Sequence, residues 1–122
     1  LPMSSNGENA YNVTFGRIMF LQKIIEGHDN VKAFQRHSDL AFSVERSTQG
    51  DSIEIVCVDE YTLSEAKAME VTSDFPNVSI IFVGGKWNKP SREASAYCRA
   101  RKVGVCNAGD INAALLKTKY WQ

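Results

Sequence analysis

The spacing of apolar residues changes from that of a helix to that of a strand early in the chain. Between Asn12 and Gly27 the apolar positions lie three or four residues apart, and the closing glycine is a common helix stop. From Val31 to Arg36, and again from Leu40 to Arg46, the period shortens to two. The pattern predicts one amphipathic helix followed by two strands.

A third strand is predicted from Ile53 to Val58. It follows the turn-forming residues 47–51, and so short a connection favours antiparallel pairing with residues 40–46. Glu54 interrupts this otherwise apolar run, although an unpaired buried carboxylate costs several kcal/mol. Glu54 therefore needs either a partner or a function.

The rest of the chain alternates helices with strands. Thr62 and Glu65 have the spacing of a capping box, and the helix that they begin continues to Phe75 and Pro76. The later predicted elements are a strand covered on both faces, a helix, a short strand and a final helix capped by Asp110: Val78–Val83, Pro90–Arg101, Val103–Cys106 and Ile111–Lys117. The order α-β-β-β-α-β-α-β-α predicts an α/β domain, a mixed central β-sheet flanked by helices.

The length of 122 residues indicates one domain. We interpret Leu1 and Pro2 as a cloning remnant, residues 1–11 as a disordered tail and residues 12–122 as a single α/β domain. The 14 basic and 14 acidic residues balance, so the molecule as a whole should attract nucleic acid or an anionic membrane only weakly. A local basic patch is compatible with this neutral total.

The cysteines and the hydropathy pattern indicate the cellular setting. Cys57, Cys98 and Cys106 lie apart inside predicted elements, which is typical of reduced, buried thiols in an intracellular, cytoplasmic protein and not of a zinc site. No apolar run approaches the ~18 residues of a membrane span, and no secretory leader is recognisable. We therefore expect no membrane partner.

The α-β-β-β-α-β core, with Asp39 before its second strand and Glu54 on its third, resembles the restriction-endonuclease-like fold of the PD-(D/E)xK superfamily. The closing elements, from Glu93 through residues 102–106 to the helix at Asp110, are similar to those of Mrr-like and Holliday-junction-resolvase-like members. The resemblance covers residues 14–117. It implies that Asp39 and Glu54 bind Mg²⁺, which polarises the scissile phosphate while a nearby lysine stabilises charge.

The lysine of the family's Glu-x-Lys motif is absent, because Val56 occupies its position. Lys67 on the following helix has taken over its role, or the domain no longer cleaves, or the fold assignment is wrong. Glu54 is then either half of a metal site or one end of a cross-strand ion pair with Arg46 or Arg36. We favour the ion pair.

One local cluster combines an aromatic ring with positive charges, a combination that stacks bases and meets phosphates: Lys86, Trp87, Lys89 and Arg92. Alternatively, Trp87 covers the end of the sheet or joins a protein interface. Gly84 and Gly85 before it form a turn or, less favoured, help to bind an anion. His37, Ser38 and Asp39 are adjacent and lack the geometry of a triad built from separate segments.

These observations favour a catalytically degenerate endonuclease-like module that binds nucleic acid or a protein partner, a second copy of the chain included. One alternative is a nuclease that uses Mg²⁺, Asp39, Glu54 and Lys67 to cleave DNA phosphodiesters. Another is a flavodoxin- or receiver-like interaction domain, which requires an all-parallel sheet. Whether the protein is an enzyme stays open at this stage, and Mg²⁺ is expected only if it is active.

Overall fold

The computed structural model of the protein describes residues 11–122, so the predicted tail before Tyr11 lies outside the described residues. Within this range the elements follow one another as α1 (Phe15–Gly27), β1 (Val31–Arg36), β2 (Ala41–Arg46), β3 (Ser52–Cys57), β4 (Thr62–Leu63), α2 (Glu65–Asp74), β5 (Ile80–Phe82), β6 (Lys89–Pro90), α3 (Arg92–Ala100), β7 (Gly104–Cys106) and α4 (Ile111–Ala114). The strands β4 and β6 were not expected, because two residues are too few to create a periodic pattern.

Five strands form one mixed sheet in the order β1-β2-β3-β5-β7. β1, β2 and β3 are antiparallel neighbours, whereas β3, β5 and β7 run parallel. The predicted antiparallel pair on either side of residues 47–51 is confirmed, and so is the α/β fold with a mixed sheet flanked by helices. The all-parallel sheet of the receiver-like alternative is wrong.

Side-chain caps fix the starts of the three longer helices. Thr14, Ser64 and Ser91 each place a hydroxyl oxygen where it accepts a hydrogen bond from the backbone N–H three residues later. The predicted cap at Thr62 is wrong, because Thr62 lies in β4 and Ser64 takes its place. The first helix likewise begins after Asn12, whose positive φ of 55° is not helical.

The core lies on both faces of the sheet. Phe20 of α1 packs against Phe82, so α1 covers the face that carries Phe82. The parallel crossovers through α2 and α3 lie together on the other face, where residues of α3 and Val105 line the same cavities. Ile80, Ile81 and Phe82 are consequently inaccessible to solvent, as the apolar run 78–83 predicts.

Tyr11 belongs to the packed domain and not to the tail that the sequence suggested. Its hydroxyl donates a hydrogen bond to Asp74 Oδ2 at 2.6 Å, and its ring lies against Phe75. Burial and this contact raise the pKa of Tyr11 well above its ordinary value.

No helix within residues 11–122 has the length and apolar character needed to cross a bilayer.

Candidate functional site

Glu54 meets an imidazole and not an arginine. His37 follows β1, and its Nε2 lies 3.3 Å from Glu54 Oε1 on the face of the sheet that also carries Ser43. The Glu54 side chain is 18% exposed. Sequence reasoning missed this partner because 17 positions separate the two residues; only the registers of two successive hairpins bring them together.

The predicted ion pair between Glu54 and Arg46 is wrong. Arg46 binds both carboxylate oxygens of Asp51, at 2.9 Å from Nε and 2.8 Å from Nη2. The register explains the difference: Phe42 pairs with Ile55 and Val44 with Ile53, so Arg46 shares their face of the sheet. Glu54 points to the opposite face.

Asp39 has a separate cationic neighbour. It is buried, and Arg36 Nη2 donates a hydrogen bond to its backbone oxygen at 3.0 Å and lies 3.7 Å from Oδ1. Arg36 pairs with Phe42 and therefore projects from the face opposite to Glu54. The alternative pairing of Glu54 with Arg36 is thus also wrong.

The geometry around the two carboxylates is not that of an assembled metal site. In the described chain no three His, Cys, Asp or Glu side chains come together in a way that could hold a metal ion. Asp39 and Glu54 are the residues that would bind Mg²⁺ in the endonuclease chemistry. Their side-chain neighbours, Arg36 and His37, project from opposite faces of the sheet, and Mg²⁺ stays a prediction tied to activity.

The two positions considered for the family's lysine lie in different surroundings. Val56 is completely buried, as are its cross-strand neighbours Ala41 and Ile81. Lys67 lies on α2, where its Nζ is 3.0 Å from Glu70 Oε1 and 5.1 Å from the centre of the Tyr11 ring. No ion pair joins Lys67 to Glu54 in the part of the chain that the structure describes.

The structure places the predicted basic and aromatic residues on one segment beyond the carboxyl end of β5: Lys86 and Trp87 in the loop that follows it, Lys89 in β6 and Arg92 at the start of α3. We call residues 86–92 the Lys86–Arg92 loop. Lys86 Nζ lies 5.3 Å from the centre of the Trp87 ring, and Trp87 is 70% exposed. Trp87 therefore does not cover the end of the sheet. The amide of Asn107 fixes the loop from below by donating hydrogen bonds to the backbone oxygens of Lys86 and Asn88 at 3.0 Å.

Gly84 allows this loop to approach the end of β3. Its φ is +103°, and a Cβ atom there would lie 2.7 Å from Asp59 Oδ1. Asp59 in turn lies 3.6 Å from Arg17 Nε on α1. A residue without a side chain is therefore required at this point, and the glycine that the sequence suggested for a turn has a specific steric role.

A cavity of about 380 Å³ adjoins the loop. It is lined in part by Lys89, Arg92 and Ser95, donors suited to an anion, with Asp110 as the opposing charge. The amide of Asn107 also lines it but is already engaged by the loop. A second cavity, of about 540 Å³, lies between α2 and α3. There Tyr97 already binds Thr72 and carries the Arg101 guanidinium 3.7 Å above its ring, which leaves these polar groups engaged.

The cysteines are free and buried, as predicted. Burial raises the pKa of Cys98 to about 11 and that of Cys57 and Cys106 to about 12. Thiolates are the reactive form of cysteine, so these thiols are poor nucleophiles and poor metal ligands at neutral pH.

Comparison with protein-family models, curated proteins and solved structures finds no match to this chain.

Proposed function

We propose that the protein is a restriction-endonuclease-like module that binds nucleic acid without cleaving it. The sequence of longer elements, a helix and three antiparallel strands followed by helix and strand, supports the resemblance. The observation that carries the loss of cleavage is the burial of Val56. At the position of the family's lysine stands a fully buried apolar side chain, whose cross-strand neighbours Ala41 and Ile81 are also apolar and fully buried.

The binding function rests on the loop from Lys86 to Arg92. An exposed indole and three cations lie within seven residues, next to a cavity whose lining includes Lys89, Arg92 and the Ser95 hydroxyl. Phosphate contacts from such cations make nucleic-acid affinity depend on salt. A protein partner is the alternative occupant, and it would bind without this steep dependence.

A metal-dependent nuclease is the second candidate. The half-buried Glu54 carboxylate favours it, because the imidazole of His37 lies 3.3 Å away and would place a ring nitrogen beside the site in the absence of the family's lysine. In that enzyme Asp39 and Glu54 would hold Mg²⁺, whose chemistry is polarisation of the phosphate and activation of water.

The test measures binding and cleavage on the same DNA panel: single strands, duplexes and junctions, with Mg²⁺ or Mn²⁺. We expect salt-dependent binding in fluorescence anisotropy, no cleavage, unchanged binding in Asp39→Ala and weaker binding in Lys86→Ala/Arg92→Ala. Cleavage that Asp39→Ala abolishes would overturn the proposal in favour of the nuclease. Absence of binding to every DNA form would also overturn it.

A further inference from the structure

Three segments that are distant in sequence meet beside the Lys86–Arg92 loop. Lys89 N–H donates a hydrogen bond to the backbone oxygen of Tyr61 at 2.9 Å, which fixes the β3–α2 connection to the loop. Arg17 of α1 pairs with Asp59 and lies against Gly84. We call the resulting surface the carboxyl-edge surface and define it by six residues: Arg17, Phe20, Tyr61, Lys86, Trp87 and Lys89.

Three aromatic rings of the carboxyl-edge surface are exposed. Tyr61 is 74% exposed, Trp87 70% and Phe20 41%. A planar ligand that covered these exposed rings would bury their apolar surface, which favours binding. Bases of a single strand present such planes, whereas bases in a duplex are already stacked on one another.

The charges of the carboxyl-edge surface suit a phosphate backbone. No carboxylate lies within ion-pair distance of Lys86 or Lys89 in the described chain. Arg17 offsets Asp59, and its guanidinium lies 5.5 Å from the centre of the Phe20 ring. The charges available to a phosphate are therefore those of Lys86 and Lys89, both of which are exposed.

We infer that the carboxyl-edge surface binds single-stranded nucleic acid, with bases stacked on Trp87 and Tyr61 and phosphates held by Lys86 and Lys89. The inference rests on the proposed nucleic-acid binding and adds the form of the strand and the stacking residues. Sequence preference is weak in this mode, because every base has a face that can stack.

The experiment compares fluorescein-labelled oligothymidine of about 12 nucleotides, a length within the range that small single-strand sites cover, with a duplex of the same length. We expect the single strand to bind more tightly. Trp87→Ala and Tyr61→Ala should each weaken its binding about 5- to 150-fold, the loss that corresponds to one stacked base. Trp87→Phe should restore most of the affinity, and Met69→Ala, which removes an exposed apolar side chain on α2, should leave it unchanged.

The outcomes separate this inference from the proposed function. Tighter binding of the duplex, or single-strand binding that is indifferent to Trp87→Ala and Tyr61→Ala, overturns the inference and leaves salt-dependent nucleic-acid binding standing. Failure to bind both probes at low salt overturns the two together. Lys86→Ala should lower the slope of log affinity against log salt by about 0.7, the value for one phosphate of a single strand; Lys32→Ala should not.

Discussion

The two ends of β3 differ in the surroundings of their cations: the Arg46 side chain beside the amino end is buried, whereas Lys86 and Lys89 beyond the carboxyl end are exposed. The guanidinium of Arg46 is inaccessible and binds Asp51 and the backbone oxygen of Lys117. At the other end, Lys86 and Lys89 have no carboxylate partner among the described residues, and the neighbouring rings of Tyr61 and Trp87 stand in water.

The contrast separates charges that stabilise the fold from charges available to a ligand. Around Arg46 the polar side chains bind one another and the backbone: the amide of Asn30 bridges Gln49 and the backbone oxygen of Leu115, at 2.8 Å each. This network ties the β1–β2–β3 hairpins to the segment after α4. The carboxyl-edge surface has donors and rings left over, which is the expected property of a binding surface.

Among the variants that test this contrast, Arg46→Met should cause the largest loss of stability. The substitution leaves Asp51 and the backbone oxygen of Lys117 without their donor, and we expect a loss of about 3 kcal/mol in the free energy of unfolding. This is the low end of the range for breaking a buried pair, because Asp51 is 41% exposed and regains water. Urea unfolding measures the loss, and Arg99→Met, the same change at an exposed position, should cost about 0.5 kcal/mol or less. Equal losses of unfolding free energy for the two variants would show that the buried contacts of Arg46 do not stabilise the fold more than an exposed arginine does.

Gly84→Ala should have the next largest effect. Its positive φ and the 2.7 Å approach to Asp59 together force either strain or movement of the loop, at a cost of about 1–3 kcal/mol. Gly85→Ala is the matched control, since the atom nearest to a Cβ there lies at 3.7 Å. Thermal unfolding of both variants checks this prediction. A Gly84→Ala protein as stable as Gly85→Ala would show that the loop is free to move away from Asp59.

A smaller effect with a characteristic pH dependence is expected for Asp51→Asn. The hydrogen bond from Arg46 holds the pKa of Asp51 below its ordinary value of 3.8. A lowered folded-state pKa contributes stability that is fully present above the unfolded pKa and is lost as pH falls through the folded pKa. The stability difference between wild type and Asp51→Asn should therefore be about 1 kcal/mol or less at neutral pH, and should shrink as pH falls below 3.8 and through the lower folded-state pKa.

Urea unfolding of both proteins across that pH range gives the comparison. Asp29→Asn, at an exposed carboxylate that forms no ion pair in the described chain, should show no such pH-dependent difference. A difference between wild type and Asp51→Asn that stays constant down to low pH would contradict the role assigned to Arg46.

The smallest change in stability is expected from Trp87→Ala. Its ring is 70% exposed, so its removal should alter the free energy of unfolding by about 0.5 kcal/mol or less. Chemical unfolding and circular dichroism check this, and they also show that any loss of nucleic-acid affinity in this variant is not due to misfolding. A large destabilisation would mean that Trp87 packs against the domain and stabilises the fold.

Local patterns in the sequence were sufficient to predict much of the fold. The short turn at residues 47–51 predicted the antiparallel β2–β3 pair, because so few residues cannot make a crossover. The apolar run 78–83 predicted a strand buried on both faces, because such a run has no polar side to present to water. The grouping of Lys86, Trp87, Lys89 and Arg92 was also visible, since the four residues are near neighbours in the chain.

The partners of the charged residues could not be predicted from the sequence and became clear only in the folded chain. A shift of register by one residue moves a side chain to the other face of a sheet, and so the sequence alone left Glu54 open to Arg46 or Arg36, while the registers give it His37. Tyr61 and Phe20 joined the carboxyl-edge surface in the same way, through contacts between distant segments. Local periodicity indicated the longer strands and helices, although not the two-residue strands β4 and β6. Which charges find a partner depends instead on register and on long-range packing, and these appear only in the folded chain.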